Sequence, residues 1–327
     1  MAIQLAPWPQ GWADAAYLSV LLPFWSQLTA RVVGAVQGSI SAALLLLTLV
    51  ALVAVVVWPG GRRRLGRAVG WVVAGLMLSF PLSFGLGYRT TPLEAGRAPL
   101  DEALYAPARE EVVNVLIASA GARGTEPAGA DVAAHAAACV TQAAASLRET
   151  GSAKVPERYK LVPEGWLLRW GFAGFVFPWL LEPHVDAALP LAARTAVALH
   201  ELAHTAGFAR EAEAEAVGML AGLYCDDAEL RYAAALRVGA ALAGRLGAEE
   251  RAAYLARWPR GAVDDLRAAS EASAAYRSAG LARVAERAYD AYLVSQGTAA
   301  GVGDYDRGTE LLVRLLATRL EGEGPSP

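Results

Sequence analysis

Two histidines and a glutamate lie together in the pentad His200-Glu201-Leu202-Ala203-His204. On a helix, residues four apart share a face, so both imidazoles can reach one Zn²⁺ while Glu201 lies beside a water molecule at the metal. The chain has only 4 histidines, and two of them have this spacing. We therefore interpret His200 and His204 as zinc ligands and Glu201 as a catalytic residue of a hydrolase, rather than as polar residues on a solvated helix face.

A catalytic zinc site needs a third protein ligand and one open position for water. The residues after the pentad initially resemble the metzincin pattern, in which a glycine turn is followed by a third histidine. Arg210 occupies that place, and a guanidinium does not ligate zinc. A metzincin site is therefore excluded.

The acidic run after Arg210 offers three carboxylates as the missing ligand. On a helix, Glu211 and Glu215 share a face, whereas Glu213 projects to nearly the opposite side. Gly218 and Gly222 continue the first face and would let this helix approach the motif helix closely. We predict that Glu211 is the third ligand and that Glu215 accepts the free N–H of a ligand histidine, with Glu213 as the alternative ligand.

Local signals indicate the elements that position the motif. Pro190 begins a strongly helix-forming stretch and Gly207 ends it, so the pentad occupies the last turns of one helix. Residues 158–185 are rich in aromatic and β-favouring residues, which predicts short strands just before that helix. Residues 175–177 are the candidate edge strand, beside which an extended peptide could pair. An ordinary aromatic core strand would have the same composition.

Most of the chain after about residue 100 has helical patterns. The predicted helices cover residues 106–120, 130–149, 210–223, 228–246, 248–258, 263–296 and 309–320. The sequence therefore predicts a mainly α fold with a small β-sheet.

Part of the chain is predicted to lie in a membrane, since 55% of its residues are hydrophobic and its mean hydropathy is +0.32. Apolar runs at about 39–58 and 68–87 are each long enough to cross a bilayer core of about 30 Å. We predict a transmembrane helix at each. Residues 13–36 are apolar but interrupted, and their tryptophans suit the headgroup region, so we predict an interfacial segment there.

Positive charge between the two apolar runs indicates their orientation. Arg62, Arg63, Arg64 and Arg67 lie there with no acidic residue beside them. The positive-inside tendency places this loop in the cytoplasm, so everything after Tyr88 should lie on the outer side.

Charge and cysteine content exclude other classes of function. A net charge of −3 without further basic clusters gives no reason to expect a nucleic acid as partner. Cys139 and Cys225 are the only cysteines, too few for the common structural zinc modules. They could form one disulfide in an extracytoplasmic domain or remain as two buried thiols. No feature indicates an oligomeric state.

The stretch HELAHTAGFAREAEAEA, residues 200–216, resembles a bacterial family known only as domain of unknown function 3810. Its members carry membrane spans followed by a zincin-type motif. The resemblance extends to GLGYRTTPL at 85–93, GFAGFVFPWLLEP at 171–183, and AYDAYL and GVGDYDRGTELL near the C-terminus. The family has asparagine where this chain has Glu215. The Glu-x-x-Ala pattern from Glu211 is also similar to membrane-anchored gluzincin peptidases, which favours Glu211 over Glu213.

The resemblance implies a membrane-bound zinc peptidase without an established substrate. Together with the motif, it leads us to expect a zincin-like α+β catalytic domain at 100–327, preceded by an N-terminal membrane region at 1–99 with two transmembrane helices. We place it in the bacterial cell membrane, with the catalytic domain on the extracytoplasmic side. Its expected partners are a peptide or protein substrate and the lipid bilayer.

In the expected mechanism, Zn²⁺ activates water and Glu201 takes the proton and later passes it to the leaving amine. A donor from the C-terminal part should stabilise the oxyanion. Tyr305 is assigned this catalytic role, with Arg307 and Tyr289 as alternatives.

Two other functions make different demands on the sequence. A non-catalytic membrane scaffold with a structural or relic zinc site would not need Glu201. An intramembrane protease would need the motif helix to span the bilayer, but residues 181–209 include Glu182, Asp186 and Arg194 and lack about twenty consecutive apolar residues. A membrane-anchored metallopeptidase is therefore preferred.

Overall fold

A computed structural model of the chain describes residues 11–57, 62–93, 100–124, 129–148, 153–296 and 304–322. The helices are α1 (Leu22–Ala35), α2 (Ile40–Val57), α3 (Arg62–Ser83), α4 (Tyr105–Ser119), α5 (Gly129–Leu147), α6 (Leu191–Thr205), α7 (Glu211–Leu223), α8 (Ala228–Gly244), α9 (Ala248–Leu255), α10 (Ala262–Tyr276), α11 (Ala279–Ser295) and α12 (Asp304–Leu320). The strands are β1 (Lys160–Val162), β2 (Gly174–Phe177) and β3 (Glu182–Asp186). A π-helical stretch, Asp14–Leu21, leads directly into α1.

The predicted fold class is confirmed in its broad form, a mainly helical protein with one small sheet. The prediction of continuous helix over 263–296 is wrong, because the chain is extended at Arg277 and Ser278 between α10 and α11. The backbone N–H of Ser278 donates there to the carbonyl of Arg169, a distant contact that the local pattern does not reveal. The helix predicted at 309–320 begins earlier, at Asp304. The domain boundary near residue 100 stays a prediction, and residues 94–99 lie outside the described part.

The sheet has three strands in the order β1-β3-β2, with β1 parallel and β2 antiparallel to β3. Strand β3 is buried along its whole length although it carries acidic residues. Buried carboxylates need hydrogen-bond donors, and Asp186 accepts from the backbone N–H groups of Gly165 and Leu167 at 2.7 and 2.8 Å. Strand β2 forms an edge of the sheet, so the predicted edge strand at 175–177 is confirmed.

The main hydrophobic core surrounds α6 and α7. Helices α5 and α8 pack against both, α12 packs against α7, and α4 packs against α8. Close contact between α6 and α7 depends on glycine. A Cβ added to Gly218 would lie 2.7 Å from the backbone oxygen of Leu199, and one added to Gly222 would lie 2.6 Å from Leu199 Cδ1. Both distances are too short for a side chain, so the two helices approach closely only because these residues are glycines.

Helices near the N-terminus present apolar side chains on their surface. Within the described residues, the segment Gly66–Ser83 of α3 is long and apolar enough to cross a bilayer. The segments Asp14–Ala35 and Ile40–Ala54 count as a second span only if taken together, and they are bent by 87° at the break between them. One or two helices could therefore cross a membrane, in the region where spans at 39–58 and 68–87 are predicted.

The segment predicted as interfacial, residues 13–36, packs along one face on the rest of the protein. Tyr17, Leu18 and Leu22 are buried there in a second hydrophobic cluster, which also contains Phe84. The N-terminal helices and the helices after residue 100 are therefore joined by side-chain packing as well as by the chain.

Cys139 of α5 and Cys225, which follows α7, form a disulfide. The sequence is compatible with one disulfide or with two buried thiols, and the structure contains the disulfide. The bond links two helices that both pack around the motif helix α6.

Candidate metal and catalytic site

Helix α6 carries the pentad in its last turns, as predicted, and ends just before a glycine. Gly207 has a φ of +102°, in the left-handed region that favours glycine. The turn brings the carbonyl of Phe208 to His204, whose Nδ1–H donates to it at 2.8 Å. This bond leaves Nε2 of His204 free for the site.

The structure brings together the three predicted ligands His200, His204 and Glu211. Their ligand atoms all lie within 4.8 Å of one another, and all three residues are buried. Glu211 Oε2 is 3.2 Å from His200 Nε2, and its Oε1 is 3.5 Å from His204 Nε2. Two imidazoles and one carboxylate facing a common point form a group that could hold a metal ion.

Glu215 lies behind this group and holds His200 from the other side. Its Oε2 is 3.0 Å from His200 Nδ1, and its Oε1 accepts from Arg237 Nε at 2.9 Å. Burial would raise the pKa of Glu215, but Arg237 and His200 outweigh burial and hold that pKa at about 2. The ionised carboxylate therefore fixes the imidazole with Nε2 directed at the site. Arg237 lies on α8, and the sequence analysis missed it because no local signal connects it to the pentad.

The charges around His200 favour a cation. Burial would lower the pKa of this imidazole, but hydrogen bonds to the carboxylates of Glu211 and Glu215 outweigh burial and raise the pKa to about 10. A bound metal ion would supply positive charge in the same place.

Glu213, the alternative ligand, lies on the other face of α7 and outside the ligand group. Its Oε2 is 2.8 Å from Arg148 Nη2, and its Oε1 is 3.3 Å from Arg210 Nη1. The backbone N–H of Leu93 also donates to Oε1 at 3.0 Å. Glu213 therefore stabilises a buried ionic cluster that joins α7 to the chain before α4.

Glu201 is buried beside the ligand group and directly under the edge strand. Burial raises its pKa to about 7. A Cβ added to Gly174 of β2 would lie 2.7 Å from Glu201 Oε1, from the backbone oxygen of His184 and from Val197 Cγ1, so a side chain at this position would push on the carboxylate and on the neighbouring strand. Gly174 is a site residue that the sequence analysis missed. The signal that could have found it is a glycine at the start of a predicted strand, which marks a close approach.

Tyr289 of α11 reaches the same group. Its hydroxyl donates a hydrogen bond to Oε1 of Glu211, and its ring packs on Phe172 with centroids 5.6 Å apart. Arg307, another alternative donor, is exposed and is not among the described residues that line the cavity. Tyr305, the assigned donor, lies outside the residues whose side chains are described, so its catalytic role stays a prediction.

A cavity of about 740 Å³ opens above the ligand group and Glu201. Its other walls are apolar and aromatic. They come from β2, from α3 and the residue after it, and from α11, including Phe175, Val176, Phe80, Phe84 and Tyr292. The two histidines and Glu211 are thus clustered within a largely apolar lining.

Comparison with known proteins gives a family and no relative of known activity. A family model described as "Protein of unknown function (DUF3810)" matches residues 17–313. No curated protein and no solved structure matches the chain. The matched range includes both the N-terminal helices and the candidate site.

Proposed function

This chain belongs to the DUF3810 family, and from that premise we propose that it is a zinc-dependent peptidase of gluzincin type, anchored in the membrane. The observation that carries the proposal is the convergence of His200, His204 and Glu211 beside the buried carboxylate of Glu201, in the lining of one open cavity. A zincin-like arrangement of α6, α7 and an edge strand would explain why these elements meet here.

Zinc fits the donor set, because two neutral imidazoles and one carboxylate are a common catalytic ligand combination that leaves a fourth position open. Zinc bound there would act as a Lewis acid, lowering the pKa of water toward about 7 and polarising the scissile carbonyl. Glu215 and the carbonyl of Phe208 orient the two imidazoles for this role.

Glu201 handles the proton in the proposed reaction. Its carboxylate accepts a proton from the attacking water and passes it to the nitrogen of the leaving amine as the C–N bond breaks. A pKa of about 7, raised by burial, suits a group that must both take and return a proton near neutral pH. Gly174 leaves the carboxylate the space it needs beneath β2.

Tyr289 is the described side chain best placed to stabilise the oxyanion. Its hydroxyl already donates to Glu211, which places a donor at the edge of the ligand group. Rotation of that O–H toward the carbonyl oxygen of a bound substrate would stabilise the charge that develops there.

The edge strand β2 supports a peptide as substrate. Strand β2 pairs with β3 on one side, and Gly174, Phe175 and Val176 line the cavity. An extended peptide can add to such an edge through backbone hydrogen bonds, which would hold its scissile bond over Glu201.

We further propose that α2 and α3 both cross the bilayer as a hairpin, with Arg63 and Arg67 on the cytoplasmic side. In a transmembrane hairpin, the start of the first helix and the end of the second lie on the same side of the bilayer. Here the first turn of α2 and the residue after α3 both contact the domain that carries the site. The disulfide between Cys139 and Cys225 supports an oxidising compartment for that domain. The catalytic site would then lie outside the cytoplasm.

The test is a comparison of the purified full-length protein with Glu201→Gln, with Glu250→Gln as a matched control at an exposed position. Zinc content and cleavage of a peptide library are measured on all three. We expect about one zinc per chain throughout and a loss of about 10²–10⁴-fold in cleavage for Glu201→Gln alone. Equal cleavage by Glu201→Gln, or no cleavage by any zinc-loaded form, would contradict the proposal, and the second result would favour a scaffold with a structural zinc site.

A further inference from the structure

We infer that the substrate is a peptide that is itself anchored in the bilayer by an apolar segment, and that it is cleaved close to the membrane surface. This inference rests on the proposed peptidase function and adds the substrate class. It comes from the position of the cavity relative to the membrane helices.

One wall of the cavity is the lipid-facing helix α3. Met77, Phe80 and Phe84 line the cavity, and the first two lie within Gly66–Ser83, the segment long and apolar enough to cross a bilayer. Met77 is 65% exposed although it lines the cavity. The cavity therefore opens at Met77, on the surface that would face lipid.

Direct contacts join the end of α3 to the catalytic group. The ring of Phe84 lies against His204 with centroids 6.1 Å apart, and Phe80 lies against Trp179 at 5.8 Å. The indole N–H of Trp179 donates to the backbone oxygen of Leu76 at 3.0 Å. The helix is thus part of the site, and no flexible tether separates the site from the apolar segment.

A second element indicates where the membrane surface lies. The segment Asp14–Ala35 is bent by 87° from Ile40–Ala54, so it runs along the surface if α2 crosses the bilayer. The side of this segment away from the protein exposes Val20, Phe24 and Leu28 at intervals of four residues, one apolar stripe along the helix. Such a stripe is typical of a helix that lies in the membrane interface.

Two buried charges of the sheet hold this right-angle turn. Glu182 of β3 accepts from the backbone N–H groups of Ile40 and Ser41 at 3.0 and 2.8 Å, at the start of α2. Lys160 of β1 donates to the carbonyl of Val33 at 2.8 Å, near the end of α1. Each charge complements the helix end that it binds. The sheet that carries the edge strand therefore also sets the angle between α1 and α2.

The spacing of the lining residues along α3, and their apolar character, indicate how the substrate lies. Met77 and Phe84 are seven residues apart on the chain, which is about 10 Å along a helix. An extended peptide spans that distance with about three residues. Because the walls between them are apolar, these residues should be apolar too, continuing the membrane anchor toward the scissile bond.

The experiment uses zinc-loaded full-length protein in vesicles of phosphatidylethanolamine and phosphatidylglycerol. Three peptides share one cleavable sequence, taken from the library hits. The first continues into a 20-residue apolar anchor, the second has no anchor, and the third carries a fatty acyl chain. We expect cleavage of the first at least about tenfold faster than of the other two, about three residues from the anchor.

A pair of variants separates recognition by the cavity from the effect of concentrating substrate on the vesicle. Met77→Gln changes a residue that lines the cavity, whereas Leu78→Gln changes its neighbour, which is equally exposed at 66% and does not line it. Met77→Gln should lower cleavage of the anchored peptide about tenfold with zinc content unchanged, and Leu78→Gln should change neither quantity.

Equal rates for anchored and soluble peptides, or equal effects of the two variants, would overturn the inference while leaving the peptidase proposal intact. Preference for the acylated peptide would overturn it in favour of a pocket for a lipid chain. Absence of Glu201-dependent cleavage of all three peptides would overturn the proposed function and this inference with it.

Discussion

Substituting Glu211 and Glu213 separately by glutamine should affect different properties. Glu211→Gln should weaken zinc binding, and Glu213→Gln should lower the stability of the fold. Both carboxylates are buried on α7, two residues apart. Glu211 faces His200 and His204, whereas Glu213 faces Arg148 at 2.8 Å. Glutamine keeps the shape of each side chain and removes only its charge.

The expected magnitudes differ because the two carboxylates have different partners. Structural zinc sites with four ligands bind with about 10–16 kcal/mol, or about 2.5–4 kcal/mol per ligand, so Glu211→Gln should weaken zinc binding by about 10²–10³-fold. Glu213→Gln leaves the guanidinium of Arg148 buried without its carboxylate, which should lower the free energy of unfolding by about 3–5 kcal/mol. Zinc affinity should then change little, provided the protein is measured below its melting temperature.

Zinc affinity is measured by competition with a chromogenic chelator, and stability by thermal unfolding of the metal-free protein in detergent. Glu250→Gln, at an exposed position, is the matched control and should change neither quantity. The assignment of Glu211 as ligand is refuted if Glu213→Gln alone releases zinc while the protein remains folded. Retention of full zinc affinity by Glu211→Gln would refute it equally.

Three further predictions concern residues around the ligand group. Gly174→Ala places a Cβ 2.7 Å from Glu201 Oε1, and displacing the carboxylate should lower kcat by up to about 10²-fold in the peptide assay with zinc content unchanged. Arg237→Met removes the cation that holds Glu215 and should weaken zinc binding about 10–100-fold in the chelator competition. Burial would raise the pKa of Glu182, but hydrogen bonds from His184, Ser41 and Ile40 outweigh burial and hold that pKa at about 2. The ionised carboxylate therefore stabilises the folded protein fully above about pH 4.5, and this stabilisation declines as the pH falls toward 2. Thermal unfolding should therefore show Glu182→Gln less stable than the unsubstituted protein by about 3 kcal/mol near pH 6, with the difference shrinking at lower pH.

Specific results would contradict each of these three predictions. Gly244→Ala adds a Cβ that meets nothing within 4 Å, so a similar loss of kcat in this variant would show a general effect. Unchanged zinc affinity in Arg237→Met would mean that Glu215 orients the imidazole of His200 without its ion pair to Arg237. A stability difference for Glu182→Gln that stays constant between pH 6 and pH 3 would contradict the role of its ionised form at the start of α2.

The grouping of His200, His204 and Glu211 could be predicted because helical periodicity is a local property. A spacing of four residues places the histidines on one face of α6, and Gly207 ends that helix so that the acidic run begins a new one. The short strands before the motif could be predicted as well, from aromatic composition between glycines and prolines.

Other parts of the site could not be predicted, because tertiary packing alone brings them there. Tyr289 and Arg237 lie on α11 and α8, and no pattern near either residue distinguishes it from other tyrosines and arginines of those helices. The break at Ser278 between α10 and α11 likewise depends on a bond to the distant Arg169. The sequence offers Tyr289 only as an alternative to Tyr305, because residue type does not rank two tyrosines.

The contacts at the end of α3 indicate that this helix has a role at the site in addition to the anchoring role that its apolar composition predicts. Hydropathy predicts an anchor, and an anchor could in principle be replaced by any other span without effect on a distant site. Here Phe84, directly after α3, packs on His204 and also belongs to the buried cluster that includes Tyr17 and Leu22. A substitute span would therefore have to reproduce these contacts as well as cross the bilayer. The family match over residues 17–313 covers both α3 and the candidate site.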